Sequence, residues 1–370
     1  MKIGITGQAG FVGTHLYNFL NIQENTELIP FQDDYFSDEI KLSSFVKSCD
    51  VIVHLAAMNR HDDPQVIYDT NIQLVQALIN VMERESVQPH ILFSSSTQED
   101  NDNLYGQSKK DGRILFEQWA KKVKAKFTAM IVPNVFGPFG RPNYNSVVAT
   151  FCHKLTHGEM PEIHVDGSVK LIYVQELANE FFRAISGEID EVAYRVPFSK
   201  EIKVSEILNL LKRFKQSYFE NHIFPELNGS FETNLFNTFR SYFDLEKHYP
   251  VKLVKHSDTR GAFVETVKLE MGGQVSFSTT VSGITRGNHY HTRKIERFAV
   301  IKGKALIQLR RIGSDNVLDF YLDGDEPSFV DMPVWYTHNI KNIGDEDLLT
   351  IFWINEFFDP NDPDTYFEEV

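Results

Sequence analysis

The sequence predicts an α/β fold in the first half of the chain and a separate all-β domain in the second. Short apolar runs alternate with helical patterns up to about residue 185, which is typical of βαβ units on a parallel sheet. After about residue 250, short β-rich runs are separated by Gly or Asp turns, which indicates an antiparallel sandwich or barrel. A chain of 370 residues is also longer than a domain with a single hydrophobic core usually is.

In the first half, strands and helices are expected to follow one another in regular order. The apolar runs predict strands at residues 2–6, 27–31, 50–56, 91–94 and 127–132. The helical patterns predict helices at residues 10–20, 71–85 and 105–124. Residues 200–245 are predicted to be mostly helical.

Near Pro250 the sequence pattern changes from alternating strands and helices to β-rich runs. Its β-rich runs predict strands at residues 274–281, 298–301, 304–311 and 348–354. Pro250 interrupts the pattern within residues 248–254. We therefore expect residues 1–247 to form the first domain and residues 251–370 to form the second.

Charge and composition exclude several classes of partner. A net charge of −14 argues against binding to nucleic acid or to an anionic membrane surface. The apolar runs are much shorter than a membrane span. Two cysteines, Cys49 and Cys152, are too few for a disulfide framework and fit a reduced compartment. We expect a soluble cytoplasmic protein without nucleic-acid or membrane partners.

A glycine-rich turn follows the first predicted strand. Gly7, Gly10 and Gly13 have the spacing Gly-x-x-Gly-x-x-Gly, and Phe11 lies where the next helix begins. Glycines at such positions let the backbone turn tightly and approach a pyrophosphate at the helix N-terminus. The turn therefore predicts a dinucleotide-binding sheet of the doubly wound, Rossmann type.

Tyr105 and Lys109 form a second candidate motif. They are four residues apart on a predicted helix, so that their side chains lie on one face. A nearby ammonium group favours the phenolate and lowers the tyrosine pKa toward the range that proton transfer needs. Ser96, or its neighbours Ser95 and Thr97, offers a hydroxyl at the end of the preceding strand that can bind a substrate carbonyl.

Together these motifs resemble the extended, nucleotide-sugar branch of the short-chain dehydrogenase/reductase superfamily, over about residues 1–245. Further matches are residues 50–57, Asn71, residues 133–138 and residues 171–174. The resemblance implies that Tyr105 is the catalytic acid, that Lys109 lowers its pKa and that Ser96 orients the carbonyl. It also implies that Asn134 lies near the nucleotide sugar. Ser95 and Thr97 remain alternatives to Ser96.

The cofactor is expected to be NADPH. The second predicted strand ends in residues 30–34 without an acid at its last position, where an acid would bind the ribose 2′-hydroxyl of NAD. Arg60, just after the third strand, is a candidate for binding a 2′-phosphate. The expected cofactor-binding residues are Gly7, Gly10, Phe11, Gly13, Arg60, Tyr105 and Lys109.

A set of metal-ligand residues lies in the β-rich half. His289 and His291 point to the same side of a strand, because side chains alternate with period two. Glu296 lies one turn later, and His338 follows on a separate β-rich segment. Three imidazoles and one carboxylate suit zinc or another first-row divalent ion. The sequence therefore predicts a site for one divalent metal, with zinc favoured.

This spacing resembles the cupin superfamily over about residues 251–355, which implies a jelly-roll barrel. The second cupin motif has Trp335 where glycine is usual. Within cupins, Asp258, Arg260 and Arg286 resemble substrate-binding positions of keto-sugar 3,5-epimerases. The resemblance implies that His289 is the base that removes a proton beside a ketone. Because His289 is also a predicted metal ligand, a metal that stabilises the enediolate and a purely structural metal remain alternatives.

The joined halves resemble bifunctional capsule-polysaccharide enzymes along the whole chain. That resemblance implies C3 epimerisation of UDP-2-acetamido-2,6-dideoxy-β-L-arabino-4-hexulose, followed by NADPH-dependent reduction at C4. The product would be UDP-2-acetamido-2,6-dideoxy-β-L-talose, a precursor of UDP-N-acetyl-L-fucosamine, and the enzyme would be a homodimer through the barrel. One alternative is a reductase with a zinc-stabilised structural barrel. A non-enzymatic sensor is disfavoured because Tyr105 and Lys109 are both present.

Overall fold

The computed structural model describes residues 1–259 and 261–370, apart from the side chains of residues 258 and 261–263. Arg260 and the side chain of Asp258, both predicted to bind substrate, therefore lie outside the described residues. The chain forms two compact units, each built from two stretches of sequence. The first unit comprises Met1–Thr150 and Ile163–Ser205, and the second comprises Phe151–Glu162 and Glu206–Val370.

A six-stranded parallel sheet is the centre of the first unit. The strands of this unit are β1 Lys2–Thr6, β2 Glu27–Ile29, β3 Val51–His54, β4 His90–Ser96, β5 Phe127–Val132, β6 Asn134–Phe136, β7 Ser168–Tyr173, β8 Ala193–Arg195 and β9 Lys200–Lys203. The sheet has the order β2-β1-β3-β4-β5-β8, and every neighbouring pair is parallel. Because β2 and β3 lie on opposite sides of β1, the strand order reverses there. Ligands bind such sheets in the crevice at the carboxyl ends of the strands.

Helices cover both faces of this sheet. They are α1 Phe11–Asn21, α2 Glu39–Ser48, α3 Pro64–Glu85, α4 Leu104–Val123 and α6 Val174–Ile185, with short 3₁₀ turns at Asp33–Ser37 and Thr97–Asp100. Ile3, Leu16 and Phe181 belong to the core on one face, which contains α1 and α6. Ile52 and Phe116 belong to the core on the other face. The predicted doubly wound α/β sheet is confirmed.

The second unit is mostly antiparallel. Its strands are β10 Ile223–Phe224, β11 Val251–Lys252, β12 Lys255–Asp258, β13 Gly261–Val264, β14 Lys268–Leu269, β15 Gln274–Thr280, β16 Thr285–Tyr290, β17 Glu296–Lys302, β18 Lys304–Arg311, β19 Val317–Asp323, β20 Ser328–Met332, β21 Tyr336–Asn342, β22 Leu348–Ile354 and β23 Tyr366–Phe367. Two five-stranded sheets have the orders β11-β20-β17-β22-β15 and β19-β18-β21-β16-β23. We call residues 251–370 the barrel. The predicted all-β architecture of this region is confirmed.

A helical segment packs against the barrel within the second unit. It contains α8 Gly229–Arg240, α9 Leu245–His248 and a π-helical turn at Lys215–Glu220, while α5 Val147–Thr156 and α7 Val204–Phe214 each begin in the first unit and end in the second. Arg297 of β17 binds the buried Asp331 of β20 through two hydrogen bonds of 2.7 and 2.9 Å. Tyr218 of the π-helical turn donates to the same carboxylate. These contacts lie within the second unit, which includes residues 206–370. The domain boundary near residues 247–251 stays a prediction.

The length and hydropathy of the helices show whether any of them could cross a membrane. Within residues 1–259 and 261–370, none of them combines the length and the apolar character that crossing a membrane requires.

Candidate active site and metal centre

The glycine-rich turn lies between β1 and α1, where the strand order reverses. Gly7 has a φ of +71°, and a Cβ at this position would lie 2.8 Å from the backbone nitrogen of Ala56, just after β3. A Cβ on Gly13 would lie 2.2 Å from the carbonyl oxygen of Gly7. Gly10 closes the turn, because its N–H donates to Gly7 at 3.0 Å. Only glycine fits these close approaches without a shift of the backbone.

The start of α1 suits an anion. Within the part of the chain that the structure describes, no side chain caps this helix, and its first turn has no acidic residue. The first N–H groups of a helix lack partners within the helix and present a partial positive charge. The turn therefore fits the pyrophosphate of a dinucleotide, as the sequence predicts for Gly7, Gly10, Phe11 and Gly13.

Tyr105 and Ser96 come together at the carboxyl end of the sheet. Ser96 is the last residue of β4, and Tyr105 lies in the first turn of α4, which Asn103 caps by accepting from the N–H of Gly106 at 2.8 Å. Burial raises the pKa of Tyr105 to about 12 and the nearby Tyr144 adds to this, whereas a hydrogen bond with Ser96 lowers it. The two hydroxyls therefore form a pair that can bind one carbonyl oxygen.

Lys109 lies one turn further along α4 and is buried. Its Nζ donates to the carbonyl oxygen of Ser94 at 3.0 Å and lies 5.8 Å from the centre of the Tyr105 ring. Burial lowers the pKa of Lys109 to about 8, against the opposing effect of Glu99. The sequence predicts that Lys109 lowers the pKa of Tyr105, but burial outweighs any such effect here. The catalytic role of Lys109 stays a prediction.

The alternatives to Ser96 occupy other positions. Ser95 donates to the carboxylate of Glu99, and Arg113 holds that carboxylate through three hydrogen bonds of 2.9 to 3.1 Å. Thr97 begins the 3₁₀ turn that follows β4. Ser96 is therefore the serine that contacts Tyr105. Glu99 and Arg113 are site neighbours that the sequence analysis missed, since nothing in their spacing links them to Tyr105.

Arg60 and Asn134 are exposed residues of the first unit. The guanidinium group of Arg60 donates to the carbonyl oxygens of Asn143 and Tyr144, at 3.2 and 3.3 Å. Asn134 donates to the carbonyl oxygen of Lys170 at 3.4 Å. The roles of Arg60 in cofactor binding and of Asn134 in substrate binding stay predictions. Tyr144, which contributes to the pKa of Tyr105, is a further residue that the sequence analysis missed.

The four predicted metal ligands come together in the barrel. One ligand atom from each of His289, His291, Glu296 and His338 lies within 4.8 Å of all the others. His289 and His338 face each other across the β16–β21 pair, next to a bulge at residues 287–289. The Nε2 atoms of His291 and His338 lie 3.0 and 3.3 Å from the same oxygen of Glu296.

The orientation of the histidine rings fits a divalent cation. The Nδ1 atoms of His291 and His338 contact the carbonyl oxygens of Asp364 and Tyr336, and His289 bonds to the backbone of Gly287. Since a carbonyl oxygen only accepts, Nδ1 must donate in such a contact, which leaves the Nε2 lone pair available. Across the described residues, these buried Nε2 atoms and Oε2 of Glu296 make no hydrogen bond of good geometry. Their donor set is one that zinc prefers.

The charges at this centre favour metal binding. Burial lowers the pKa of His289 to about 4, and the neighbouring histidines lower it further, so that the imidazole is neutral at pH 7. Burial opposes ionisation of Glu296, but His291 and His338 hold the pKa of this carboxyl well below its usual range. The neutral imidazole of His289 and the ionised carboxylate of Glu296 are the ligand forms that a metal requires. Burial opposes protonation of His291, but Glu296 outweighs burial and raises the pKa, so that a metal would compete with a proton there.

Two other barrel residues from the sequence analysis have clear positions. Trp335 has a φ of +63°, which explains why glycine is usual there, and its buried ring stacks on Tyr290 at 5.6 Å. Arg286 is exposed, and its guanidinium group donates to the carbonyl oxygen of Thr279 at 3.5 Å. Its predicted role in substrate binding stays a prediction.

The fold and site define a doubly wound α/β unit with a glycine-rich turn and a Ser96–Tyr105–Lys109 arrangement, joined to a barrel with a metal-ligand set. Residues 3–193 match the NAD dependent epimerase/dehydratase family, and residues 256–366 match the family described as polysaccharide biosynthesis C-terminal domain. The chain belongs to the NAD dependent epimerase/dehydratase family.

Individual relatives match over the full length. The chain is 33% identical to UDP-2-acetamido-2,6-beta-L-arabino-hexul-4-ose reductase of Pseudomonas aeruginosa, over 99% of this chain and 98% of that protein. It also resembles the crystal structure of the capsular polysaccharide assembling protein CapF from Staphylococcus aureus. That likeness covers all of both chains with 37% identity and a TM-score of 0.64.

A more distant structure shares the fold over part of the chain. RMD from Pseudomonas aeruginosa, solved as a complex with NADPH, is 22% identical over 58% of this chain and 82% of its own, with a TM-score of 0.53.

Proposed function

We propose that the chain is a bifunctional nucleotide-sugar enzyme of capsule or surface polysaccharide synthesis. Its barrel epimerises C3 of UDP-2-acetamido-2,6-dideoxy-β-L-arabino-4-hexulose. Its first unit then reduces the C4 ketone with NADPH, which gives UDP-2-acetamido-2,6-dideoxy-β-L-talose on the route to UDP-N-acetyl-L-fucosamine. The assignment of the reductase activity depends most on the Ser96–Tyr105 pair beside buried Lys109. This pair lies in the same unit as the glycine turn.

The reduction needs a proton donor at the carbonyl oxygen. The Tyr105 hydroxyl would give its proton to the C4 oxygen while Ser96 holds that oxygen by a hydrogen bond. A bound nicotinamide supplies the hydride that C4 receives. A pKa of about 12 keeps Tyr105 protonated at neutral pH, which suits an acid. The full-length relative from Pseudomonas aeruginosa is named as a reductase of this keto sugar, which supports the substrate class.

The choice of NADPH has two supports. No carboxylate occupies the last position of β2, which ends at Ile29 and is followed by Pro30 and Phe31. An acid at that position would favour NAD. The second support is the RMD complex, in which a similar fold binds NADPH.

The epimerisation is assigned to the barrel. A ketone at C4 acidifies the proton at C3, so that the proton can leave one face of the ring and return on the other. A divalent cation held by His289, His291, Glu296 and His338 would supply positive charge for that step. Half-buried His289 is the most accessible ligand, because the other three are buried.

The burial of those ligands also supports a second candidate function. His338 is fully buried, and His291 and Glu296 are 3% and 7% exposed, as in a closed structural metal site. In this case the protein would be a single-activity 4-keto-sugar reductase with a zinc-stabilised barrel.

A homodimer in the cytoplasm is part of the same proposal. Strand β15 lies at the edge of its sheet, and Val275 and Phe277 on this strand are 60% and 72% exposed. An apolar edge strand of this kind favours pairing with another chain. We therefore assign the dimer contact to the barrel.

The reductase is tested by replacing one hydroxyl. Tyr105→Phe should lower the rate of substrate-dependent NADPH oxidation by about 10²-fold or more, the usual contribution of a positioned acid. NADPH binding, measured by fluorescence titration, should fall far less than turnover, because the glycine turn is intact. Tyr194→Phe is the matched control, because Tyr194 lies in the same unit and its hydroxyl binds Glu180 instead. Turnover by Tyr105→Phe equal to that of the control would overturn the assignment.

A further inference from the structure

The C-terminal tail, residues 359–367, places a buried carboxylate beside the metal-ligand set. Asp364 is 2% exposed. It accepts hydrogen bonds from the N–H and hydroxyl groups of Thr292, at 3.0 and 2.7 Å, and from the N–H groups of Arg293 and Lys294, at 3.0 and 2.9 Å. One side chain therefore satisfies three consecutive backbone N–H groups of the loop that follows His291.

The backbone of the tail contacts the metal ligands as well. The carbonyl oxygen of Asp364 contacts Nδ1 of His291. Strand β23 continues from there and pairs with β16, which places Phe367 opposite His289. Asp364 thus lies between the ligand ring of His291 on one side and the loop leading to Glu296 on the other.

We infer that Asp364 is a positioning residue of the metal centre, an inference that rests on the metal site proposed above. Its carbonyl oxygen fixes the His291 ring with Nε2 toward the other ligands. Its carboxylate fixes the loop that sets the distance from His291 to Glu296. Buried N–H groups without partners are costly, so loss of the carboxylate would rearrange this loop. Outer partners of ligand histidines commonly contribute about 10- to 100-fold to metal affinity.

Asp362 provides a matched control in the same tail. It is exposed, and it binds the side chain of Arg293 at 3.0 Å. Asp362→Asn removes the same charge from the same segment as Asp364→Asn, but it leaves the backbone N–H groups of the loop paired. A difference between the two variants therefore reports the position of the carboxylate and not the net charge of the tail.

The experiment compares the full-length wild type with Asp364→Asn and Asp362→Asn. The affinity for Zn²⁺ is measured by competition with a chromophoric chelator, and thermal unfolding is recorded with and without Zn²⁺. A cooperative unfolding transition without Zn²⁺ confirms that each variant is folded. Thr292→Val, which removes a single hydroxyl bond to Asp364, covers the case in which Asp364→Asn does not fold.

We expect Asp364→Asn to weaken Zn²⁺ binding by about 10- to 100-fold, with a correspondingly smaller rise in the unfolding temperature on adding Zn²⁺. Thr292→Val should weaken binding less, and Asp362→Asn should bind Zn²⁺ as the wild type does. Wild-type affinity in Asp364→Asn, or in Thr292→Val if Asp364→Asn does not fold, would overturn the inference. Equal loss in Asp364→Asn and Asp362→Asn would do so too. A wild type without Zn²⁺ binding would instead overturn the proposed metal site.

Discussion

Replacing Lys109 with methionine should stabilise the first unit while it removes a predicted catalytic group. Burial lowers the pKa of Lys109 from its ordinary 10.5 to about 8, so that holding the charged form is unfavourable. At about 1.4 kcal/mol for each tenfold change in proton affinity, the cost is about 3 kcal/mol. The hydrogen bond to Ser94 offsets about 1 kcal/mol of this. A neutral side chain of similar length should therefore raise the unfolding free energy by about 2 kcal/mol at pH 7.

The pH dependence follows from the same shift. Below pH 8 both the folded and the unfolded chain hold the proton, and the full cost of burying the charge is present. Between pH 8 and 10.5 the folded state loses the proton first, so that the cost fades, and above 10.5 it is gone. The advantage of Lys109→Met should therefore be largest below pH 8 and should disappear as the pH rises to 10.5.

Hydrogen exchange of peptides from β4 and α4 measures the opening free energy of this unit. Lys110→Met is a suitable control, because Lys110 is the exposed neighbour on the same helix. Slower exchange in Lys109→Met than in both the wild type and the control would support the reasoning. A variant that opens more easily than the wild type at pH 7 would refute it, because the ammonium group would then be stabilising.

Three further substitutions test other parts of the account. Gly13→Ala should abolish NADPH binding in a titration, since its Cβ would lie 2.2 Å from the Gly7 carbonyl oxygen; wild-type affinity would contradict this. His338→Ala should lower the metal content found by elemental analysis, whereas exposed His256→Ala should not; equal content in both would exclude His338 as a ligand. Asp331→Asn should destabilise the second unit by about 3–5 kcal/mol, because Arg297 stays buried without its charge partner; a loss below about 1 kcal/mol in denaturant unfolding would contradict it.

The parts of the fold that depend on local pattern could be predicted from the sequence. The glycine spacing predicts a turn that only glycine fits, and the structure has such a turn at Gly7 and Gly13. The spacing of His289, His291 and Glu296 also predicts that these side chains meet. Alternation along a strand places His289 and His291 on one side, and a short loop leads from there to Glu296. The sequence shows that Trp335 replaces a usual glycine, but the positive φ that explains the preference for glycine is visible only in the structure.

Contacts between distant segments could not be predicted in this way. The helical segment packs with the barrel through Tyr218 and Asp331, which are far apart in the chain. At the end of β4, Ser96 contacts Tyr105, whereas Ser95 donates a hydrogen bond to Glu99. These contacts depend on the directions of the side chains. Asp364 contacts a loop about seventy residues earlier, and no spacing rule relates the two.

Withholding the reductant separates the two proposed activities most directly. The protein is incubated in D₂O with the UDP-linked 4-keto-6-deoxy sugar and without NADPH, and C3 of the sugar is followed by proton NMR. We expect protein-dependent deuterium incorporation at C3, lost in His338→Ala and kept in Tyr105→Phe. A C3 position that stays protonated, while NADPH is oxidised once it is added, would contradict the bifunctional proposal and leave a reductase with a structural barrel.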